Sequence, residues 1–436
     1  MTEKMKPSGI AWIGDIPQDW KCKRYRFCGN VQYGYPFNSD YFSSEETGFP
    51  LIRIRDITSG EIATYYEGTY PREYVVQSGD VLIGMDGDFN VRIWKNRDAL
   101  LNQRCCRVFD SQQISKRFMA YYLPHYLKVI NDLTWSTTVK HLLADDINNI
   151  YVSYPGMREQ QAIADFLDTQ CTKIDSVIAD IEKQIETLQK YKKSLITEAV
   201  TKGLDRSVPM KDSGVKWVGE VPADWKVSRV KYLIDDNHPY PIGDGDHGMI
   251  KADDYLDEGI PYIRVLNLTW GDGMNLDNLV FISDKMNAMI KNSVLRPNDI
   301  LIAKTGATIG KTAIVPDSLP ISNTTSHVGK ITLPNTHCAK YFFYVMTSDV
   351  VQKQIQDISA MQSTRPELGI EGMRDLVVVV PPLTTQERIV EYLEERCAKT
   401  DEILQAKKTQ LDVMRKHKAS IIYEYVTGKK RVPEVN

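Results

Sequence analysis

The sequence predicts an α+β protein: two strand-rich globular regions in pseudo-two-fold tandem, separated by two long helices that pair as an antiparallel coiled coil. Three observations carry this reading. First, the chain repeats itself: Met5–Lys21 (MKPSGIAWIGDIPQDWK) and Met210–Lys226 (MKDSGVKWVGEVPADWK) share 10 of 17 residues at an offset of 205. Second, Pro155–Leu167 echoes Pro381–Leu393 at an offset of 226, and each copy opens a helical pattern. Third, short β-branched runs fill the intervals, set between Gly, Pro, Asp and Asn turns. A long repeat present twice is unlike a solenoid, whose units of about 20–50 residues need about three or more copies.

Taken in order, the chain reads as a first globular region at 1–154, a central helix at 155–203, a second globular region at 204–380, and a C-terminal helix with its tail at 381–436. In the first region FPLIRIRDI (Phe49–Ile57) and GDVLIGM (Gly79–Met85) read as strands. IPYIRVLNL (Ile260–Leu268) and NDILIAK (Asn298–Lys304) match them in the second. The loops between these anchors differ in length and sequence, the mark of one scaffold that has diverged in what it recognises.

The helices are read from a heptad. Counting alternately by three and four from Leu167 reaches Cys171, Ile174, Ile178, Ile181, Ile185, Leu188, Lys192, Leu195 and Ala199. The same register in the second copy runs Leu393, Cys397, Thr400, Leu404, Lys407, Leu411, Met414, Lys418, Ile421 and Tyr425, a poorer seam because of Thr400 and Lys407. A stripe this narrow is a coiled-coil seam, and a helix of roughly 40 residues runs about 60 Å. A lysine recurs at one seam position, Lys192 and Lys418. It reads either as snorkelling near a helix end or as a phosphate or partner contact.

Composition narrows the class. With 42% apolar and 25% charged residues in 436, the chain looks like an ordinary soluble protein of about three domains. It has no apolar run of about 18 residues and no apolar N-terminal segment, so neither a membrane span nor a secretory signal is expected. Seven cysteines without a CxxC fit reduced thiols in a cytoplasm. Cys171 and Cys397 fall at one position of the two helices and read as small seam residues. The net charge is −3. A surface built to neutralise phosphates throughout would be basic, so any nucleic-acid contact must be local.

Motifs that resemble catalysis do not hold up. TGATIGKT (Thr305–Thr312) places three residues between Gly306 and Gly310 where a phosphate-binding loop needs four. NHPY (Asn237–Tyr240) resembles the Asn-Pro-Pro-Tyr motif of amino-methyltransferases, but His238 replaces the first proline and no Gly-rich turn precedes it. GDGDHG (Gly243–Gly248) reads as a turn before it reads as a metal site. The chain reads as a binder, not an enzyme.

What remains are loops rich in cations, amides and hydroxyls. Arg92, Lys95 and Arg97 surround Trp94, and LNQRCCR (Leu101–Arg107) adds Arg104 and Arg107. Lys304 and Lys311 occupy the matching loop of the second region. Lys140 and Arg365 lie in WSTTVKHL (Trp135–Leu142) and QSTRPEL (Gln362–Leu368), the loops before each helix. Such side chains hold phosphates and read base edges. Arg92, Lys95, Arg97, Lys140, Lys304, Lys311 and Arg365 are therefore the candidate DNA contacts, each with the alternative of an ordinary solvated loop cation.

The WIGDIP and WVGEVP openings, the SGDVLIG and NDILIAKTGATIGKT strand–loop pairs, the helix entries EQQAIADFL and TQERIVEYL, and YKKSLITEAVTKGL (Tyr191–Leu204) together resemble the DNA-specificity subunit of type I restriction–modification systems, over nearly the whole chain. The resemblance implies two target-recognition domains, each reading half of a split, asymmetric sequence in double-stranded DNA. It implies helices that set the spacer and dock two methyltransferase subunits. Methylation of adenine with S-adenosylmethionine, and cleavage with ATP and Mg by motor–nuclease restriction subunits, would belong to those partners. Two other readings of the residues stand beside it: a coiled-coil adaptor whose globular regions bind protein, and an enzyme with a diffuse active site.

Overall fold

The computed structural model describes residues 4–133, 140–245, 247–270, 273–360 and 366–432. The chain divides into two compact units, Met1–Glu182 with Thr409–Asn436, and Lys183–Lys408. The sequence division ended each region where a helix began, whereas both of these cuts fall inside long helices. The physical reason is that the helix roots belong to the globular cores. Ile163, Leu167 and Val426 pack with Trp20, Tyr25 and Val152 in the first unit. Ile389, Leu393 and Val200 pack with Trp225, Val230 and Val378 in the second.

In the first unit an antiparallel sheet runs in the order Val91–Ile93, Val81–Gly84, Cys105–Phe109, Asn30–Tyr33. Its central strand is apolar at every residue because both faces are covered. Val81 and Ile83 meet Phe118, Met119 and Tyr122 of the helix Lys116–Leu133, while Leu82 meets Ile52, Trp94 and Leu101. A second sheet holds one parallel pair, Phe49–Ile52 beside Ala99–Leu101, in the register Leu51 to Leu100 and Ile52 to Leu101.

The second unit repeats this plan. Ile242–Asp244, Val328–Ile331, Ile300–Ala303 and Thr312–Ile314 form the antiparallel sheet, and Ile260–Ile263 runs parallel to Asn323–Thr324. Ile300 and Ile302 face Tyr341 and Phe342, while Leu301 and Ala303 face Ile263.

Two strand expectations are corrected. The run Phe49–Ile57 is a strand only through Ile52 and then a short helix, Ile54–Ser59. Asp56 turns the chain by accepting the Arg53 backbone N–H at 2.8 Å. In the second unit Ile260–Ile263 is followed by a 3-10 turn at Val265–Asn267, where Asn267 accepts the Arg264 N–H at 2.9 Å. A side-chain acceptor three residues on offers the backbone an alternative to the ladder.

The long helices span Met157–Lys202 and Leu383–Val426. In the first unit Phe166 meets Tyr425 at 4.4 Å between ring centres, Asp175 pairs with Lys418 at 2.6 Å, and Glu182 pairs with Arg415 at 2.7 Å. One number rises as the other falls, so the pairing is antiparallel. Leu167, Cys171, Ile174 and Ile181 are buried, Ile178 and Met414 half-buried, and Leu411 buried, as the heptad requires. In the second unit Ile185 and Leu188 are half-buried and Leu393, Cys397, Thr400 and Leu404 buried. Thr400 sits in the seam by donating its hydroxyl to the Arg396 carbonyl at 2.8 Å.

Lys192 and Lys418 do not snorkel. Each is clamped by an aspartate of the facing helix within its own unit, Lys192 by Asp401 at 2.6 and 2.7 Å and Lys418 by Asp175 at 2.6 and 2.7 Å. The two aspartates are 226 residues apart, as are the two lysines. The duplication therefore copied a complete ion pair.

Candidate nucleic-acid interface

The parallel pair in the first unit decides what gathers at its surface. Because Ile52 lies beside Leu101, the chain leaves both strands at the same edge, and Arg53–Arg55 emerges beside Asn102–Arg104. In open α/β sheets, ligands collect outside the carboxyl ends of parallel strands. Here a groove of about 440 Å³ is lined by Arg53, Arg55, Asn102, Gln103 and Arg104, by the acid Asp86, and by Phe37, Ser39, Phe42 and Ile54. Gly34 packs against the backbone of Asn102. A Cβ there would lie 1.9 Å from the Asn102 carbonyl oxygen, so only glycine permits that approach.

Arg53 and Gln103 are exposed. Arg55 donates to the Thr64 hydroxyl at 2.9 Å and lies 3.6 Å from Asp56. Arg104 is 59% exposed and lies 3.6 Å from Asp86, which His141 holds at 2.6 Å. Asn102 spends its side-chain oxygen on the Gln103 backbone N–H at 2.8 Å, which shapes the turn. The groove thus presents guanidinium forks and an amide. A fork suits the O6/N7 edge of guanine and an amide the N6/N7 edge of adenine.

The second unit places different chemistry at the same edge. Its parallel register sets Arg264 and Leu266 beside Thr325, Ser326 and His327. Arg264 is half-buried, stacks on Tyr255 at 5.6 Å and donates to the Asn278 carbonyl at 3.0 Å. His327 contacts the Thr305 hydroxyl at 3.0 Å, and Leu266 and Trp270 stand 51% and 56% exposed.

Of the six predicted contacts among the described residues, none lines the first unit's groove. Arg92 bonds the carbonyls of Ile57 and Thr58, the latter at 2.6 Å, and so caps the helix Ile54–Ser59. Lys304 is 3% exposed, bound to Asp244 and to the Ser326 carbonyl at 3.3 Å, with Glu367 at 3.6 Å. Both placements have one cause: a cation next to a strand end is used by the fold before it reaches solvent. Lys140 is half-buried and bonds the carbonyl and side-chain oxygens of Asn131. Arg97 is 56% exposed, 3.5 Å from Glu46 and 3.0 Å from the Tyr65 hydroxyl. Lys311 is half-buried behind the Gly306–Thr308 turn. Arg365 lies outside the described residues.

Lys95 is exposed and lines a different hollow of about 890 Å³, between the helix Lys116–Leu133 and the long helices of the first unit. Of its five lining cations, four are paired: Lys116 with Asp80 at 3.1 Å, Arg117 with Asp165 at 2.8 Å, Lys128 with Asp132 at 3.1 Å, and Lys418 with Asp175. The groove residues were legible only in part: RIR and NQR are visible in the sequence, but their adjacency depends on the parallel register.

A model of the type I restriction modification DNA specificity domain matches residues 17–187 and again 224–413. The EcoBI specificity subunit of Escherichia coli is 32% identical over 379 residues, covering 86% of this chain and 78% of that protein. The MjaVIII specificity subunit of Methanocaldococcus jannaschii is 24% identical over 428 residues, covering 97% and 95%. Among solved structures, a chain from work on complex assembly and conformational transition of the type I R-M system superposes with a TM-score of 0.68 at 15% identity, covering 95% of this chain and 99% of that one. At that identity the likeness speaks for the fold.

Proposed function

The chain belongs to the type I restriction–modification DNA-specificity family, and on that premise we propose that each unit reads one half of a split duplex target. The observation that carries this is the groove of Arg53, Arg55, Gln103 and Arg104 at the end of a parallel strand pair, inside the first matched segment. Its counterpart at Arg264, Leu266 and His327 lies inside the second. Unlike side chains on one scaffold support two different half-sites joined in one asymmetric target.

In this reading the paired helices set the gap between the halves, and two methyltransferase subunits and the restriction subunits assemble on the chain. Methyl transfer with S-adenosylmethionine, and cleavage with ATP and Mg, are assigned to those partners, and the complex works on DNA in the cytoplasm. The test is methylation mapping of the host genome with the gene present, deleted, and carrying Arg53→Ala with Gln103→Ala. Deletion removes one bipartite methylated motif, and the groove variant loosens one half of it. A motif unchanged on deletion would reject the function. One that loosens in both halves would reject the division of labour.

A further inference from the structure

Each unit carries a second surface that the duplication kept while the grooves diverged. In the first, the strand Lys21–Arg24 pairs with Tyr151–Tyr154 and runs into a 3-10 turn, Tyr25–Phe27. In the second, Lys226–Arg229 pairs with Val377–Val380 and runs into Val230–Tyr232. Both turns bury their first residue, Tyr25 and Val230, and expose their last. Phe27 is 66% exposed and Tyr232 is 73% exposed, and these rings stand 205 residues apart, the offset of the repeat. The residue before each is a cation over the ring, Arg26 at 5.9 Å from the Phe27 centroid and Lys231 at 5.5 Å from that of Tyr232. The stretch 21–27 holds four cations and the stretch 226–232 three, and neither holds an acid, although Asp375 pairs with both Arg229 and Lys231 at 2.9 Å.

A feature repeated in both units meets something that also comes twice and is the same each time. The bases of an asymmetric target do not qualify. A phosphate backbone qualifies and the Tyr232 hydroxyl could donate to one, but the Phe27 ring at the equivalent position has no donor to offer. Aromatic rings are enriched at the centres of protein interfaces, as is arginine. The surface also lies on the helix-bearing part of each unit: Tyr25 shares a core with Ile163 and Leu167, and Val230 with Ile389 and Leu393. Phe37, Phe42 and Ile54 of the groove pack in other clusters.

We propose that Phe27 with Arg26, and Tyr232 with Lys231, are equivalent anchors for the two methyltransferase subunits, each of which presents an apolar pocket with an acidic rim. This rests on the reading that two such subunits assemble on the chain, and it names where they attach.

The experiment is native mass spectrometry of the full chain mixed with the host's own type I methyltransferase subunit, together with titration of that subunit. Phe27→Ala and Tyr232→Ala each weaken one of two binding events by about tenfold or more, the effect of losing an interface centre, so that one-to-one complexes replace one-to-two. The double variant loses both, and Phe27→Tyr, which copies the second unit, keeps both. Arg26→Glu weakens the first site as Phe27→Ala does. A wild-type chain that binds two subunits while every variant does the same would overturn this proposal alone. So would variants that keep both subunits but bind non-target duplex more weakly, because the surface would then belong to the DNA backbone. A wild-type chain that binds no methyltransferase would overturn the functional reading, and this proposal with it.

Discussion

Arg53 and Arg264 occupy the same place in the two units. Each follows the parallel strand of its sheet, and each gives its backbone N–H to an acceptor three residues on, Asp56 or Asn267. Arg53 is nevertheless exposed at a groove, while Arg264 is laid over Tyr255 and tied to the Asn278 carbonyl. The residue type and the scaffold agree, and the availability differs. What a side chain can read is therefore decided by the loop that packs against it, not by its position in the repeat. The same holds one layer deeper. Arg107 and Lys330 both sit buried on the central sheet beside a strand-leading aspartate. Arg107 bonds Asp80 at 2.9 Å, Gln32 at 2.8 Å and the carbonyls of Val75 and Glu73. Lys330 donates to the Val294 carbonyl at 2.7 Å, and burial lowers its pKa while that of the neighbouring Asp299 is raised by burial.

The largest effect that can test this comparison lies in that interior pair. Arg107→Ala leaves Asp80 buried without its main partner, and the loss is expected at about 3–5 kcal/mol, read by urea unfolding. Lys330→Met should cost clearly less. Equal losses would mean that the fork of Arg107 is not what braces the first unit. Next comes the seam. Ile181 is 3% exposed and Ile185 half-buried. Ile181→Ala should cost about 2–5 kcal/mol and Ile185→Ala visibly less, measured as thermal stability and helical circular dichroism. The reverse order would shift the register.

The groove comparison is sharpened by Arg53→Ala against Arg264→Ala. The first is expected to loosen one position of the first half-site by about 1–3 kcal/mol and leave stability unchanged. The second should lower the stability of its own unit and leave the first half-site alone. Binding of the assembled methyltransferase to single-base variants of the target reads both, and matching profiles for the two alanines would erase the distinction. The smallest effect concerns the copied ion pairs. Double-mutant cycles on Lys192–Asp401 and Lys418–Asp175 should give couplings of about 0.2–1 kcal/mol. The Lys192 pair should be the stronger, since its lysine side chain is 14% exposed against 30%. Couplings that raised salt does not weaken would contradict a partly solvated pair.

Much of this architecture is written locally. The repeat shows as two matched stretches, while the apolar strand cores at Val81–Gly84 and Ile300–Ala303 and the heptad spacing of Leu167, Ile174 and Ile181, like that of Leu404 and Leu411, are patterns between near neighbours. Burial follows such patterns because helix and strand periodicity fix which side chains share a face. The copied lysines are visible in the sequence, but their aspartate partners at 401 and 175 lie on the facing helix, more than 200 residues away, where no local pattern marks them.

The site was another matter. Arg92 and Lys304 look like free loop cations in the sequence, yet one caps a helix and the other is enclosed beside Asp244. Arg53 and Gln103 lie 50 residues apart and meet because Leu51 pairs with Leu100 in a parallel register. A parallel pair needs a long crossover whose route is set by packing, so no local signal announces which strand ends will stand together. The sequence by itself determined the duplication, the helices and their seam, since these rest on periodicity. Only the tertiary structure decided which cations are spent inside the fold and which remain exposed, because that depends on the loop that covers each one.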